Sequence, residues 1–299
     1  MRKIILLPVC LFLLGAVHAQ QLHFMSQFVQ HNPMYNPAAA GFAEEPVIGI
    51  SYRSMWEAFT GNPRTLMVYG DTKWSKMNSG VAAYLYKDAT GPSNREGVQI
   101  AYSYHVKTGE KSKLGLGFEV RGLQYTIDKS KLQQALGNDP VLLGTNNKFK
   151  LDGGIGAYYS NDRLSVGAAV SQLIESKLAF ADVAKATLRA KLYRHYNFSA
   201  SYVLPAGDDI TVIPNFMSTV VPHAPAEFAF GVKLDYKDVI WWALNWRVKQ
   251  AWSIQVGLKL FDKLSFVYAY DYYSEPFSDY NTGNNANEVG LRFNLHKKK

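Results

Sequence analysis

Along most of the chain, apolar residues take turns with small or charged ones. Residues 113–122 read KLGLGFEVRG, with Leu114, Leu116, Phe118 and Val120 on one side and Gly115, Gly117, Glu119 and Arg121 on the other. Residues 227–236 (EFAFGVKLDY), 253–260 (SIQVGLKL) and 288–295 (EVGLRFNL) repeat the pattern. A period of two marks β-strands, whose successive side chains leave opposite faces. About fourteen such segments can be marked, near 46–54, 64–74, 79–88, 96–106, 113–125, 149–159, 164–171, 194–204, 210–220, 227–236, 238–247, 251–260, 264–272 and 287–295. Many run about nine to eleven residues, the length a tilted strand needs to cross a bilayer.

Alternation alone admits two architectures. A soluble sandwich would bury the apolar face in a core, and a membrane barrel would turn it to lipid. The connections separate the two. Short polar turns are expected at 75–78, 108–111, 161–163, 206–209, 236–238 and 261–263. Long loops interleave with them at 55–63, 89–95, 126–148, 172–193, 221–226 and 273–286, with 248–250 as the one short exception. Short turns on one side and long loops on the other are the periplasmic and extracellular asymmetry of outer-membrane barrels. The expected fold is all-β, a transmembrane antiparallel up-and-down barrel of about fourteen strands over 46–299.

Composition agrees with a barrel. Aromatic residues make up 14%, with 19 Tyr, 16 Phe and 6 Trp. Trp74, Trp241, Trp242, Trp252, Tyr84, Tyr86, Tyr102, Tyr104, Tyr268 and Tyr270 lie near strand ends, where interfacial girdles are expected. Mean hydropathy is only -0.15, as it must be when every second strand residue avoids lipid. After residue 20 nothing approaches the apolar run of a membrane helix. The first residues differ: Arg2 and Lys3, the apolar Ile4 to Val17, then Val17-His18-Ala19. They predict an export signal over 1–19 and a mature chain from Gln20. Cys10 is not expected to be a lipidated cysteine, because Val9 is large for the position before it and the preceding apolar run is short. Removing the signal removes the only cysteine, which excludes disulfides, Cys-ligated zinc and thiol nucleophiles. The net charge of +8 is spread along the chain, so no nucleic-acid partner is expected.

Little of the sequence points to catalysis. His23, His31, His105, His195, His223 and His296 are scattered without metal-ligand spacing. No Gly-x-Ser-x-Gly elbow occurs. His195 with Ser199 and Ser201 is the nearest approach to a barrel hydrolase. Gly115, Gly117 and Gly122 lie inside a strand, where they read as small wall residues rather than a nucleotide loop. The expectation is no enzyme, no cofactor and no metal. More informative are the charges on the inward phase: Arg53, Asp71, Glu119, Arg121, Asp152, Lys233, Asp235, Arg247, Lys259, Asp271 and Arg292. Both signs are present, so they can pair inside the barrel. Bracing the wall, holding a plug and lining a pore all remain open on sequence grounds.

Residues 20–45 fit no strand. QFVQHNPMYNPAAAGF (27–42) carries Asn-Pro twice. Proline lacks a backbone donor and disfavours helix at the preceding residue. An irregular periplasmic segment is expected, folding into or against the barrel mouth. Asn32 and Asn36 would cap turns, and Gly41 would permit the bend into the first strand near Pro46. A disordered leader is the alternative.

This stretch also carries a resemblance. Asn32-Pro33, Tyr35, Asn36-Pro37-Ala38 and Gly41 resemble the N-terminal signature of the PorP/SprF family of type IX secretion membrane proteins. Tyr52-Arg53-Ser54-Met55-Trp56 is similar to that family's Tyr-Arg-x-x-Trp, and Asn62-Pro63-Arg64-Thr65 to its Pro-Lys/Arg-Thr. Asp88 to Ser93, Asp139-Pro140, Asn147-Lys148-Phe149, Asp152 to Gly156, His195-Tyr196, Tyr268 to Asp271 and Glu288 to Phe293 extend the likeness over the mature chain. The tail departs from common barrel practice, since Phe293 and Leu295 are followed by His296 and three lysines. The resemblance implies an outer-membrane barrel of a Bacteroidetes-type bacterium. It implies outer-membrane lipid, periplasmic type IX secretion components and a secreted C-terminal-domain client as partners. Such clients include adhesins, in roles that range from adhesion to gliding motility. A porin or solute channel is the alternative function.

Overall fold

The computed structural model describes residues 25–43, 45–131, 145–178, 190–261, 263–274 and 285–295. The expected export signal, the tips of three long loops and the lysine tail lie outside these residues. The strands are β1 (Val47–Met55), β2 (Arg64–Trp74), β3 (Ser79–Thr90), β4 (Ser93–Lys107), β5 (Lys113–Asp128), β6 (Thr145–Ser160), β7 (Leu164–Ser171), β8 (Lys177–Leu178), β9 (Ala190–Lys191), β10 (His195–Tyr202), β11 (Leu204–Ala206), β12 (Ile210–Val220), β13 (Glu227–Tyr236), β14 (Ile240–Arg247), β15 (Ala251–Leu260), β16 (Leu264–Tyr273) and β17 (Ala286–Asn294). Fourteen of them close into a ring, all pairs antiparallel. The first and last strands meet with Val47 opposite Asn294, and β10 meets β12 with Tyr196 opposite Val220. The short β11 extends the pairing of β12, and β8 and β9 form a separate two-stranded piece. Among the described residues no helix is long and apolar enough to cross a membrane.

Alternation predicts β2, β7, β12, β13 and β15 to the residue. It underestimates the strands on the long-loop side. The stretch 89–95, expected as a long loop, is a tight hairpin: β3 runs to Thr90 and β4 starts at Ser93. Above the apolar band both faces are polar, so the period-two signal fades while pairing continues. Cross-strand ion pairs sustain it, with Arg95 to Asp88 at 3.1 Å and Lys87 to Glu96 at 2.8 Å. The ring is consequently uneven. Strands β4 to β6 have 15, 16 and 16 residues, and β13 to β16 have 10, 8, 10 and 10.

The outer surface is apolar. Ile48, Leu85, Ile100, Phe118, Val120, Ile155, Leu244 and Ile254 all point outward and are exposed. So large an apolar band fits lipid as its surroundings rather than water. An aromatic row crosses the low wall, Phe216 to Phe230 to Trp246 to Trp252, with ring centres 5.1, 6.3 and 5.7 Å apart. Trp74, Trp242, Tyr104 and Tyr270 also face out. Tyr84 and Tyr86, expected in the girdle, are buried in the lumen instead. Leu85 claims the outward phase of β3, so its two neighbours must turn in. Trp241 likewise turns inward, over Gly257. The same pairing recurs: Tyr69 covers Gly49, Tyr86 covers Gly97 and Trp241 covers Gly257, each directly across a strand pair. A Cβ on any of these glycines would come within 2.4 Å of the ring. The aromatic face fills the gap that the missing side chain leaves.

Candidate functional site: a plug seated in the lumen

Residues 25–43 run through the inside of the ring. Met25, Ser26, Gln27, Phe28, His31, Met34, Tyr35, Asn36, Ala38, Ala39 and Ala40 are all buried. The segment is more regular than its prolines suggested. Asn32–Tyr35 is one α-helical turn and Pro37–Ala39 a 3-10 turn. Each proline takes an opening position of its turn, where the missing N–H has no partner to lose. Asn36 caps as expected, its side chain accepting from the Ala38 N–H at 3.0 Å. Asn32 does not cap; it lies within the helical turn, and His31 takes the cap position without a side-chain bond. Gly41, at φ 72°, makes the bend toward β1. There the chain passes so close to β3 that a Cβ on Gly41 would lie 2.4 Å from the Gly80 Cα.

The segment does not stop at the mouth. Gly41 donates its N–H to Asp71 of β2 at 2.6 Å, near the short-turn end. At the other extreme Ser26 meets Arg53, Asp271 and Glu288, far along β1, β16 and β17 toward the long loops. Short turns leave backbone carbonyls unpaired, and buried carbonyls need donors. Wall side chains supply them. Ser103 Oγ donates to the Ala38 carbonyl at 2.8 Å, and Asn197 Nδ2 to that of Tyr35 at 3.0 Å. Arg121 donates to the Met34 carbonyl at 2.7 Å, and Gln255 Nε2 to that of Ser26 at 2.7 Å. Space comes from glycine. A Cβ at Gly117 would fall 2.4 Å from the Ala38 nitrogen, and one at Gly156 would fall 2.2 Å from Asn36 Oδ1.

The predicted inward charges separate into groups. Arg53 reaches Asp271 at 2.6 Å and Glu288 at 3.3 Å, and Arg247 reaches Asp271 at 2.7 Å. Two cations and two anions thus balance around Ser26, which donates its N–H to Glu288 at 2.7 Å and its hydroxyl to Asp271 at 2.8 Å. Glu119 and Arg121 pair at 2.7 Å on the same face of β5, joined by Gln99 at 2.5 Å. Asp152 takes backbone N–H bonds from Gly153 and Ile174. Lys233 pairs with Asp235 at 2.9 Å, and Lys259 with Asp238 at 2.5 Å toward the short turns. Arg292 donates to Asn294 at 3.2 Å. Trp56, at φ 52°, packs 5.8 Å from Tyr273 at the outer end. Sequence reasoning missed Ser26, Gln99, Ser103, Asn197, Gln255 and Glu288 as lumen groups. Glu288 shares the phase of Gly290 and Arg292, so extending the alternation by one step finds it.

His31 is buried beside Tyr69, ring centres 4.7 Å apart and nearly perpendicular. Burial, with the nearby Arg292 charge, pushes its pKa down to about 3. The plug leans on β4 to β7. A cavity of about 360 Å³, edged by Gln30, Lys233, Trp241, Asn245 and Gln255, lies between its two turns and the opposite wall, which the chain reaches only at its Ser26 end. His195 is turned inward and buried, its Nδ1 at 3.0 Å from the Tyr193 carbonyl, away from the outer face where a barrel lipase would need it. Among the described residues no group of three or more His, Cys, Asp or Glu is placed to hold a metal ion.

Known structures share this architecture. The CymD monoaromatic hydrocarbon channel superposes with a TM-score of 0.53 at 11% identity, covering 94% of this chain and 95% of its own. The Pseudomonas putida toluene transporter TodX gives 0.50 at 8% identity over 88% and 93%. The Acinetobacter baumannii outer membrane protein Omp33 gives 0.50 at 8% identity over 84% and 98%. At these identities the likeness is one of fold, and it is the fold of outer-membrane barrels. Comparison with curated proteins gave no match. One protein family, the type IX secretion system membrane protein PorP/SprF, matches residues 17–293. With signature, barrel and match in agreement, this chain belongs to the PorP/SprF family and is an outer-membrane β-barrel.

Proposed function

We propose that this barrel is a non-conducting, non-enzymatic scaffold of the type IX secretion apparatus. Its long-loop end meets a secreted C-terminal-domain client such as an adhesin and helps deliver or anchor it at the surface. Its short turns and the plug's exit beyond Gly41 contact secretion components in the periplasm. The observation that carries this reading is the plug: a lumen filled by the chain's own residues, tied down by buried ion pairs, suits recognition better than flow. Crosslinked pull-downs from outer membranes test it, with secretion components and a surface protein expected. Recovery of neither would overturn it.

A solute channel is the second reading, drawn from the charged lumen and the cavity beside the plug. Single-channel recording in planar bilayers separates the two. The scaffold predicts a closed baseline, and a steady open conductance would favour the channel.

A further inference from the structure

Lysines at the short-turn end differ in their partners. Lys111 pairs with Asp162 at 2.9 Å, Lys237 with Asp209 at 3.2 Å, and Lys233 and Lys259 with the aspartates already named. Lys73, Lys107 and Lys113 are different. Among the described residues none of the three has a carboxylate within 4.0 Å. They face one another instead. Lys107 and Lys113 are directly opposite across β4 and β5, and the Lys73 side chain on β2 reaches that of Lys113. Like charges directly opposite in a sheet destabilise it. The paired lysines of this rim show that a nearby aspartate is enough to neutralise such a charge.

Their phase fixes where they point. Asp71, His105 and Gly115 face the lumen, so Lys73, Lys107 and Lys113, each two residues nearer the short-turn end, share the inward face. Lys73 and Lys113 are half-buried and Lys107 is exposed. Beside them the plug leaves the barrel: the His105 ring lies 2.9 Å from the Ala40 carbonyl and 4.4 Å, centre to centre, from the Phe42 ring.

We propose that Lys73, Lys107 and Lys113 form a docking site for a carboxylate-rich segment of a periplasmic protein, seated at the mouth next to the plug's exit. The proposal rests on the scaffold reading above, in which this end meets periplasmic components. Charge complementarity selects the occupant. A lipid phosphate carries the same sign, but headgroups surround the ring from outside, and these side chains point within it.

The test uses the purified full-length barrel in detergent with a fluorescein-labelled oligo-glutamate peptide, read by anisotropy. Wild type is expected to bind the peptide, more weakly as salt rises. Lys73→Gln/Lys113→Gln is expected to bind about tenfold more weakly, the order for losing two partly exposed ion pairs. Lys237→Gln, which removes a lysine already paired, is expected to bind like wild type. Thermal unfolding gives a second readout: Lys113→Gln should raise the midpoint by relieving repulsion. Equal peptide binding by wild type and the double variant would overturn the proposal, as would a lowered midpoint for Lys113→Gln. Preferential binding to phosphatidylglycerol nanodiscs, lost in the same double variant, would assign the site to lipid and overturn it too. Peptide binding as expected, alongside pull-downs that recover no secretion component, would leave the site standing and remove the scaffold reading.

Discussion

The two ends of the plug are held in different ways. Between Tyr35 and Ala40 it is held by shape: Gly117 and Gly156 leave room for it, and Ser103 and Asn197 each give one neutral hydrogen bond to its backbone. At Ser26 it is held by charge, inside a balanced set of Arg53, Arg247, Asp271 and Glu288. Shape complementarity tolerates small displacement and contributes contact by contact. A buried charge network tolerates almost none, because each missing partner strands a desolvated charge. The stretch from Tyr35 to Ala40 therefore supplies adhesion to the wall, and Ser26 sets its depth.

The largest effect is expected from Arg53→Ala, which strands Glu288, leaves Asp271 with Arg247 alone and should cost about 3–5 kcal/mol. Urea unfolding followed by heat-modifiable gel mobility would measure it, and a loss below 1 kcal/mol would mean the network is solvated. Next comes Gly117→Val, which drives side-chain atoms into Ala38. Overpacking of this kind costs about 1–3 kcal/mol. Because it acts on the plug's seat, it should expose residues 27–42 to protease while the barrel still migrates as folded. Asn36→Ala removes a cap and the bond to the Ala157 carbonyl at 3.0 Å, and should cost about 1 kcal/mol. Hydrogen exchange over 27–42 would register it as faster, and unchanged exchange would sink the capping role.

Protonation supplies the most specific probe. His31 has a pKa of about 3 when the plug is seated and 6.5 when it is free. Between those values the free state binds the proton, so seating weakens as pH falls. The contribution of neutral His31 is fully present above 6.5 and is lost as pH drops toward about 3. Protease accessibility of the segment should rise over that window in wild type and be flatter in His31→Phe. Equal slopes would place the pH sensitivity elsewhere.

Most of the barrel was legible because lipid on one side and a packed lumen on the other impose strict alternation. Where that double constraint ends, legibility ends with it. The outer parts of β4 to β6 have water on one face, so their strands looked like loops. Tyr84 and Tyr86 were misplaced by composition, since an aromatic residue serves equally well in a girdle or over a cross-strand glycine. Individual lumen charges such as Arg53, Glu119 and Asp271 were legible from phase, but their partners were not. Asp271 and Arg53 are distant in sequence, and only ring closure makes them neighbours. Ser26 carried no local signal at all.

The Ser26 junction has a consequence for how the molecule is made. Its partners lie on β1, β14, β16 and β17, strands synthesised first and last, which meet only when the ring shuts. Until β17 arrives, Arg53 has neither Glu288 nor a closed wall around it. Completing the seam therefore also completes the plug's anchorage, and the final strand works as a latch on the barrel's own contents.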